Sequence, residues 1–570
     1  MVDAGTNRIG FAGWAAVAVV AGVTAACQGK ISQAGSGGAG MGAGTGSGAG
    51  SGTGGAGGGA PLPPQSAAVS ASVARRLSRA EIDATVRDLL GDTTNPASRI
   101  LAEDEYTPFD NDYTRQKPSA ALIDALEATA DDIATRVLAP ANRGRIVACA
   151  PSGPGDAACF RQVIETVGRR LFRRSLSNEE VTAYLSLQSF ATENNPSVPH
   201  DFYTAVGLML RSMLQDPEFL YRIEIGTPTG DPAVLRLSGY EIATRLSYFL
   251  VGSAPDDRLL DLAQKDGTPD ALAKPEQRRA EATRLLADPR ARDQIHRFHA
   301  MWLGYRAIPG GTDLLAAFNA ETTALIDKVV FDQPSSYLDL FTSSQTYVNN
   351  LLADQYGLSR PAGGAGWVAY GTTGRAGILS HGAVLAAFSK FSDTSPTQRG
   401  IFVQTRLLCN SVQPPPANVN VDQPPPATAS ACKLDRYAAH RSSASCASCH
   451  DNLDPIGTGL EQYDVGGKFR THDDGHPECA LDGAGALPGY GTFKGPAELA
   501  QKLIDSGRLE RCFLEHLLRY AVGRGLYPAE QGAVDTLASG FAASHESLTE
   551  TLLGYVASDR FALRQEDPTP

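Results

Sequence analysis

Four serine–glutamate pairs, each spaced three residues apart, stand immediately before runs of regularly spaced apolar residues. They are Ser78–Glu81, Ser177–Glu180, Ser238–Glu241 and Ser547–Glu550. In such a capping box the serine hydroxyl accepts from a backbone N–H in the first helical turn, and the glutamate reaches back to the cap. The apolar residues that follow recur at three- and four-residue intervals, as on one face of a helix. We therefore expect a mainly α-helical protein, with a few short strands in the glycine-rich stretches 362–378 and 480–495.

Stretches rich in proline and glycine divide the helical body. A chain of 570 residues is longer than one hydrophobic core usually requires. The breaks predict five helical segments that need not fold alone and can pack as one continuous body. Their predicted bounds are 71–141, 145–226, 234–360, 372–475 and 490–566.

The N-terminal 27 residues have the pattern of an export signal. A basic Arg8 is followed by an apolar run and by small residues that precede Cys27. The sequence TAAC at 24–27 resembles a bacterial lipoprotein cleavage box, in which the cysteine becomes the lipidated N-terminus. Residues 28–70 are rich in Gly, Ser and Ala, cannot bury enough apolar surface to fold, and are predicted to form a disordered tether.

These features predict that the protein is exported and that a lipid on Cys27 attaches it to the membrane. We expect an outer-membrane or periplasmic lipoprotein, with the cell surface as a further location; a plain secreted protein is the alternative. The formal net charge of −12 argues against nucleic acid as the main partner, because like charges repel.

The remaining cysteines indicate disulfides. If Cys27 is lipidated and the two cysteines of a CxxC motif are set aside, six of the nine cysteines remain, an even number for an exported protein. These six are Cys149, Cys159, Cys409, Cys432, Cys479 and Cys512. The interpretation offered by sequence order pairs Cys149 with Cys159, Cys409 with Cys432, and Cys479 with Cys512. Buried thiols are the alternative for each pair.

The motif with the most specific chemistry is Cys446-Ala-Ser-Cys449-His450. Two thiols one helical turn apart can add to the two vinyl groups of a haem, and the adjacent imidazole can bind the iron. The alternatives are a disulfide brace beside a surface histidine, and a zinc site that needs further ligands. A thioredoxin-type redox pair does not fit, because a proline-rich loop stands where a strand would be expected. We therefore expect one covalent c-type haem, with His450 as an iron ligand.

The second axial ligand of such a haem is not fixed by the sequence. All five methionines precede the motif, so a methionine ligand would come from the upstream segments. Histidine candidates near the motif in sequence are His440, His472, His476 and His516. Two histidine ligands would lower the reduction potential relative to a His/Met pair, and an open position would favour oxygen or peroxide chemistry.

Nine stretches of the body form an ordered set. They are RRLSRAEIDATVRDLLGD (75–92), VGRRLFRRSLSNEEV (167–181), MLQDPEFLYRIE (213–224), LSGYEIATRLSYFLVGSAPDDRLL (237–260), TYVNNLLADQYGL (346–358), RAGILSHGAVL (375–385), TSPTQRGIFV (394–403), CASCHDNLDPIGTGLEQYDVGGKFR (446–470) and CFLEHLLRYAVGRGL (512–526). Together they resemble a family of exported bacterial proteins, often called planctomycete-type cytochrome c proteins, that are built from a fixed series of domains of unknown function. The resemblance covers nearly all of the body.

The resemblance implies a cytochrome c-like segment in which Cys446, Cys449 and His450 attach the haem. A histidine often precedes CxxCH in this family, which makes His440 the first choice as sixth iron ligand; a surface histidine is the alternative. Arg470 matches the family pattern and could pair with a haem propionate, whereas an ion pair with Glu461 or Asp464 is the alternative reading. Three functions stay open: electron transfer with an unknown redox or envelope partner, a haem-dependent extracellular oxidoreductase, and a non-haem, disulfide-braced surface binding protein.

Overall fold

The computed structural model describes residues 69–100, 108–193, 199–264, 271–308, 310–390, 393–415, 430–442 and 444–566. The predicted export signal, Cys27 and the predicted tether up to residue 68 lie outside the described residues. Among the helices of the described ranges, none combines the length and apolar character needed to cross a membrane.

The first two segments are built from seven α-helices and short connecting elements. The helices are α1 (Arg79–Leu90), α2 (Ala120–Val137), α3 (Ala157–Leu171), α4 (Asn178–Leu185), α5 (Ser189–Thr192), α6 (Phe202–Gln215) and α7 (Pro217–Leu220). Single 3₁₀ turns lie at Pro96–Arg99, Tyr113–Arg115, Arg143–Arg145 and Ser186–Gln188. The strands are β1 (Ala71–Ser72), β2 (Arg75–Arg76) and β3 (Tyr221–Arg222).

The third segment contains the longest run of consecutive helices. They are α8 (Gly239–Val251), α9 (Asp257–Ala263), α10 (Pro275–Leu286), α11 (Pro289–Trp302), α12 (Thr312–Asp327), α13 (Asp339–Thr342) and α14 (Asn350–Tyr356), with a 3₁₀ turn at Ala271–Ala273 and a π-helical turn at Lys328–Asp332. The strands are β4 (Thr227–Pro228), β5 (Leu235–Arg236) and β6 (Gln345–Asn349).

The fourth segment, which carries the CxxCH motif, has shorter elements. Its helices are α15 (Gly382–Ala387), α16 (Pro396–Phe402), α17 (Lys433–His440), α18 (Ala444–His450) and α19 (Asp454–Thr458), with a 3₁₀ turn at Ile378–Ser380 and a π-helical turn at Val403–Leu407. Its strands are β7 (Ala365–Ala369), β8 (Ser389–Lys390), β9 (Asp393–Thr394), β10 (His472–Asp473) and β11 (His476–Ala480).

The C-terminal segment returns to longer helices. They are α20 (Gly495–Asp505), α21 (Arg508–Val522), α22 (Gln531–Ala543), α23 (Leu548–Ala557) and α24 (Asp559–Ala562), with a 3₁₀ turn at Pro528–Glu530. The strands are β12 (Ala484–Leu487), β13 (Gly491–Lys494) and β14 (Leu563–Glu566). The helix-rich architecture is therefore confirmed, as are short strands in both glycine-rich stretches.

Three of the four predicted capping boxes are complete. Ser78, Ser177 and Ser238 each accept from the backbone of the predicted glutamate, whose side chain returns to the cap. Ser547 also caps its helix, but the side chain of Glu550 forms an ion pair with Arg279 of α10 instead. The fourth serine thus starts the helix as predicted, while its glutamate joins two helices.

The five segments share two hydrophobic cores. The first two segments pack around one core, in which α6 lies against α2 and α3. The other three segments pack around the second core, which includes the aromatic side chains of Trp302 and Phe513. Three residues belong to the core of the other group of segments: Tyr248 and Ala254 of the third segment lie in the first core, and Phe109 of the first segment lies in the second. The segments are therefore interlocked through their side chains.

A four-stranded sheet joins distant parts of the chain. Its order is β1-β14-β5-β4, with β1 parallel to β14 and the other pairs antiparallel. The strand at the beginning of the described body thus pairs with the strand at its end. Arg245 of α8 reinforces this junction, because its guanidinium donates to the carbonyl oxygens of Phe561 and Leu563.

All six predicted disulfide cysteines are bonded, but two of the three predicted pairings are wrong. Cys149–Cys159 forms as expected, whereas Cys409 bonds Cys512 and Cys432 bonds Cys479. Cys409 lies close to α21 because Arg508, on that helix, donates to the carbonyl oxygen of Leu408 at 2.9 Å. Pairing by sequence order fails here because spatial neighbours along this part of the chain are far apart in sequence.

The Cys432–Cys479 bond has a similar cause. Cys432 directly precedes α17, and the backbone N–H of Lys433 donates to Asp473 on β10 at 2.8 Å. Strand β10 pairs with β11, which contains Cys479. The disulfide therefore fastens the helix preceding the CxxCH motif to the hairpin that follows it.

Candidate functional site

The CxxCH motif forms the short helix α18. Cys446 and Cys449 are three residues apart, so their side chains leave the same side of the helix, and His450 is its last residue. All three residues are partly buried. Cys446 and Cys449 are thiols, whereas the other six described cysteines form disulfides. The helix thus presents two thiols and an imidazole within about one turn.

A buried aspartate holds the histidine. Nδ1 of His450 lies 2.9 Å from Oδ2 of Asp454, the first residue of α19. The Asp454 side chain is 1% exposed, and its other oxygen accepts from the Thr397 hydroxyl at 2.6 Å. Because an ionised carboxylate can only accept, Nδ1 of the imidazole carries the proton. In this tautomer the lone pair available to a metal is on Nε2.

Close contact between two short helices fixes Asp454. A side chain at Gly400 of α16 would overlap the backbone of Leu453, and one at Gly457 of α19 would overlap the backbone of Pro396. Glycine at both positions lets the helix backbones touch. Thr397 lies on α16 and Asp454 on α19, so this contact brings the hydroxyl to the carboxylate. The Gln404 amide adds a hydrogen bond of 3.0 Å to the carbonyl oxygen of Asn452, just after the motif.

A second buried carboxylate anchors the chain beyond the motif. Glu461 is fully buried and lies 3.0 Å from Arg399, 3.3 Å from Arg470 and 3.7 Å from Lys433. We call these four residues the Glu461 cluster. Burial lowers the pKa of the Arg399 guanidinium, an effect that the Glu461 charge opposes. The cluster connects α16 and α17, which precede the motif helix α18 in the chain, with the residues that follow α19.

Arg470 forms the ion pair that the sequence analysis gave as the alternative reading. Its side chain is 9% exposed, and it contacts Glu461 and, at 3.1 Å, Asp474. Its pairing with a haem propionate stays a prediction. His440 is the last residue of α17, but its side chain is outside the described part of the chain. Its role as sixth ligand therefore also stays a prediction.

The structure shows where the other candidates for the sixth iron ligand lie. The described methionines, Met209, Met213 and Met301, are at most 2% exposed and pack in the two cores. His516 is buried between aromatic rings, with Phe109 and Trp302 about 6 Å from its ring. His472 and His476 are exposed on the β10–β11 hairpin. A ligand from one of these three methionines would thus require part of a core to open.

The zinc site and the disulfide brace stay open as alternatives for the motif. Among the described residues, Cys446, Cys449 and His450 do not bring three ligand atoms within 4.8 Å of one another, as a ready-made zinc site would. The two cysteines are not bonded to each other. By contrast, two thiols on one side of a helix followed by an oriented imidazole are the donor set for covalent haem attachment. The residues present therefore fit a c-type haem.

Sequence reasoning identified the three motif residues but not their support. Asp454 stands four residues after His450, and this short separation of a carboxylate from the motif histidine is a signal that the sequence does contain, although the two residues lie on different helices. Thr397 could not be found from the sequence, because it lies 57 residues before Asp454. The pairing depends on the glycine contact between α16 and α19, which appears only in the fold.

The fold and the site together describe a helix-rich, disulfide-braced protein built from several segments. Five family models match the chain, and each is described as a protein of unknown function. In chain order they are DUF1587 (75–139), DUF1595 (159–224), DUF1592 (237–358), DUF1588 (375–473) and DUF1585 (491–561).

This ordered series is that of the planctomycete cytochrome c-like proteins, and the chain belongs to that family. The family resemblance predicted from the sequence is thus confirmed. No curated protein and no solved structure matches the chain.

Proposed function

We propose that the protein is a c-type cytochrome with one haem, attached through Cys446 and Cys449 and ligated by Nε2 of His450, and that it transfers electrons. The hydrogen bond from His450 to the buried Asp454 carries this proposal. A surface histidine needs no buried carboxylate, whereas histidines that bind metals usually donate their second ring N–H to such an acceptor. When bound, the haem would supply a one-electron redox centre.

The Asp454 contact also bears on the potential of the haem. A carboxylate that accepts the Nδ1 proton makes the imidazole a stronger electron donor. A stronger donor stabilises the oxidised iron, so the reduction potential falls. We therefore propose a low-potential centre, whose redox partner would be an envelope protein of comparably low potential.

The proposed location is the cell envelope, with a lipid on Cys27 as the membrane anchor. Three disulfides in the described residues support an oxidising compartment, where such bonds persist. The same compartment is where covalent haem attachment to exported proteins is completed. Attachment of the body through a tether would allow it to reach partners away from the membrane surface.

A haem-dependent oxidoreductase is the second candidate function. The observation that favours it is the burial of the three described methionines in the two cores, where none of them is placed to act as the usual sixth ligand of an electron carrier. An electron-rich proximal imidazole with an open sixth position suits reactions with oxygen or peroxide. Binding of carbon monoxide to the reduced protein separates the two candidates, because a strong sixth ligand prevents it.

The experiment that tests the proposal uses the full chain, expressed with its own N-terminus and a cytochrome c maturation system. An alkaline pyridine haemochrome spectrum and a haem-stained denaturing gel should show one covalent c-type haem. In Cys449→Ala the doubly attached haem should be lost. In Ser448→Ala, between the two cysteines, the signal should persist. Absence of covalent haem in correctly exported wild-type protein would contradict the proposal.

A further inference from the structure

A groove with a volume of about 540 Å³ lies in the third segment, at the junction of α12, the π-helical turn and the β6–β7 hairpin. Part of it is aromatic and the rest is polar. Its lining includes Asp327, Lys328, Asp332, Gln333, Tyr347 and Trp367. None of these residues takes part in the CxxCH site, so the groove needs its own explanation.

Two aromatic side chains form the floor of the groove. Tyr347 of β6 and Trp367 of β7 are direct cross-strand partners, and their rings are 5.9 Å apart in an edge-to-face arrangement. Trp367 is 36% exposed, unlike Trp302, which is fully buried in the second core. The outward-facing neighbours of Trp367 in its own strand are Ala365 and Ala369, which are too small to cover an indole. The ring is therefore exposed to solvent apart from its contacts with Tyr347 and Lys328.

Asp327, Asp332 and Gln333 form the polar wall of the groove, and one arginine holds its two carboxylates in place. Arg292 of α11 contacts Oδ1 of Asp327 at 3.2 Å and Oδ1 of Asp332 at 2.7 Å. His296 also approaches Oδ1 of Asp327. No described residue hydrogen-bonds the second oxygen of either carboxylate or the side-chain amide of Gln333. The groove therefore combines fixed acceptors with an amide that can donate and accept.

The π-helical turn at Lys328–Asp332 places these groups beside the hairpin. Such turns are rare and frequently mark functional sites. Here the extra residue per turn brings both Asp327 and Asp332, five positions apart, to the same groove. Lys328 from this turn extends over the indole of Trp367, with Nζ 4.2 Å from the ring centroid. The lysine charge on the ring disfavours a cationic ligand.

From this combination we propose that the groove binds a neutral saccharide. The C–H face of a pyranose ring is flat and apolar and stacks on an exposed indole, while its hydroxyls at the ring edge donate to carboxylates and exchange hydrogen bonds with amides. Arg292 and Lys328 balance the charges of Asp327 and Asp332, so the groove favours neither an anionic nor a cationic ligand, and a purely apolar ligand would leave the polar wall unpaired. A nucleic acid is opposed by the net charge of −12.

The test measures binding of the full chain to insoluble cellulose, chitin, xylan and mannan, and to their soluble oligosaccharides. Wild-type protein should be retained on at least one of them. Trp367→Ala should weaken this binding at least tenfold. Tyr490→Ala removes another exposed aromatic side chain, 37% accessible, and should leave binding unchanged. Circular dichroism and thermal unfolding verify that all three proteins are folded.

Tryptophan fluorescence gives a second measurement on the same ring. The chain has three tryptophans, and Trp367 is the exposed one among those described. A bound oligosaccharide that stacks on it should change the emission of wild-type protein, and the change should be absent in Trp367→Phe. Failure of all four polysaccharides and their oligosaccharides to bind would overturn the inference. Equal affinity of the wild type and the folded Trp367→Ala variant would overturn it as well.

Discussion

The CxxCH region and the saccharide groove differ in the length of the elements that build them. The CxxCH region consists of short helices of five to eight residues, joined by a disulfide, a backbone contact through two glycines and the Glu461 cluster. The groove lies on α12, a helix of 16 residues. Both regions pack on the second apolar core, and both bury a carboxylate, Glu461 in the first and Glu321 of α12 in the second. Short helices have little intrinsic stability, so the first region depends more on the contacts between its elements.

The largest expected effect is at Glu461. Glu461→Ala would leave Arg399 buried without its carboxylate partner, whereas Lys433 keeps its ion pair with Asp393; losing one partner of a buried ion pair costs about 3–5 kcal/mol. Urea unfolding should show a loss of this size. Glu478→Ala removes an exposed carboxylate that pairs with His476 and should leave the stability nearly unchanged, because solvent screens such a pair. Similar losses in the two variants would refute the dependence on buried charge.

The second prediction concerns acid stability of the apolar region. His299 of α11 is fully buried, and burial lowers its pKa to about 4 from an ordinary value of 6.5. Below pH 6.5 the unfolded chain therefore binds a proton that the folded protein does not. The contribution of His299 is present above pH 6.5 and is lost as the pH falls towards 4, by roughly 3 kcal/mol.

Unfolding free energies measured from pH 7.5 to 4 check this prediction. The pH-dependent loss should be smaller in His299→Gln, which cannot titrate, while the exposed control His472→Gln should follow the wild type. The Gln side chain retains a polar group near the Tyr337 hydroxyl, which lies 2.6 Å from Nε2 in the native protein. An unchanged slope in His299→Gln would show that another group causes the acid sensitivity.

The third prediction tests the glycine contact. Gly457→Ala would place a Cβ on the backbone of Pro396 and force α19 away from α16, at a cost of about 1–3 kcal/mol. Gly554→Ala is the matched control, because Gly554 is a helical glycine of α23 with open space around it. There alanine should stabilise the protein by about 0.4–1 kcal/mol. If both variants changed the free energy of unfolding by the same amount and in the same direction, the close approach of α16 and α19 would be contradicted.

The fourth prediction separates a functional from a structural role of Asp454. Asp454→Asn keeps the size of the side chain but replaces the charged acceptor of the His450 N–H by a neutral one. The reduction potential of haem-loaded protein should rise by about 60 mV, equivalent to a tenfold change in a one-electron equilibrium. Thr397→Val, which removes the hydroxyl on the other carboxylate oxygen, should have a smaller effect. An unchanged potential in Asp454→Asn would exclude electronic control of the ligand.

The contrast between the two regions also explains what the sequence could predict. Helices with capping boxes, such as those after Ser78 and Ser238, follow from local hydrogen bonds and were found at the right places. The CxxCH residues were found because their chemistry requires adjacent positions. The residues that support the motif could not be predicted, because their partners are distant in sequence. Thr397 contacts Asp454, 57 residues away, and Arg399 contacts Glu461, 62 residues away.

The disulfides illustrate the same limit. Cys149 and Cys159 are ten residues apart and pair as sequence order suggests. Cys409 and Cys512 are 103 residues apart, and only the packing of α21 beside the π-helical turn at 403–407 brings them together. The groove was not predicted at all, because Tyr347 and Trp367 become partners through hairpin register. Neither residue stands in a sequence motif.

The measurement that tests the central claim most directly is mass spectrometry of the peptide that carries the motif. Protein matured with a cytochrome c assembly system would be digested with trypsin, which can cut after Arg441 and Lys468. The account predicts that peptide 442–468 carries the mass of one haem on Cys446 and Cys449. Recovery of this peptide from exported protein with two alkylatable thiols, or with a disulfide between them, would contradict it.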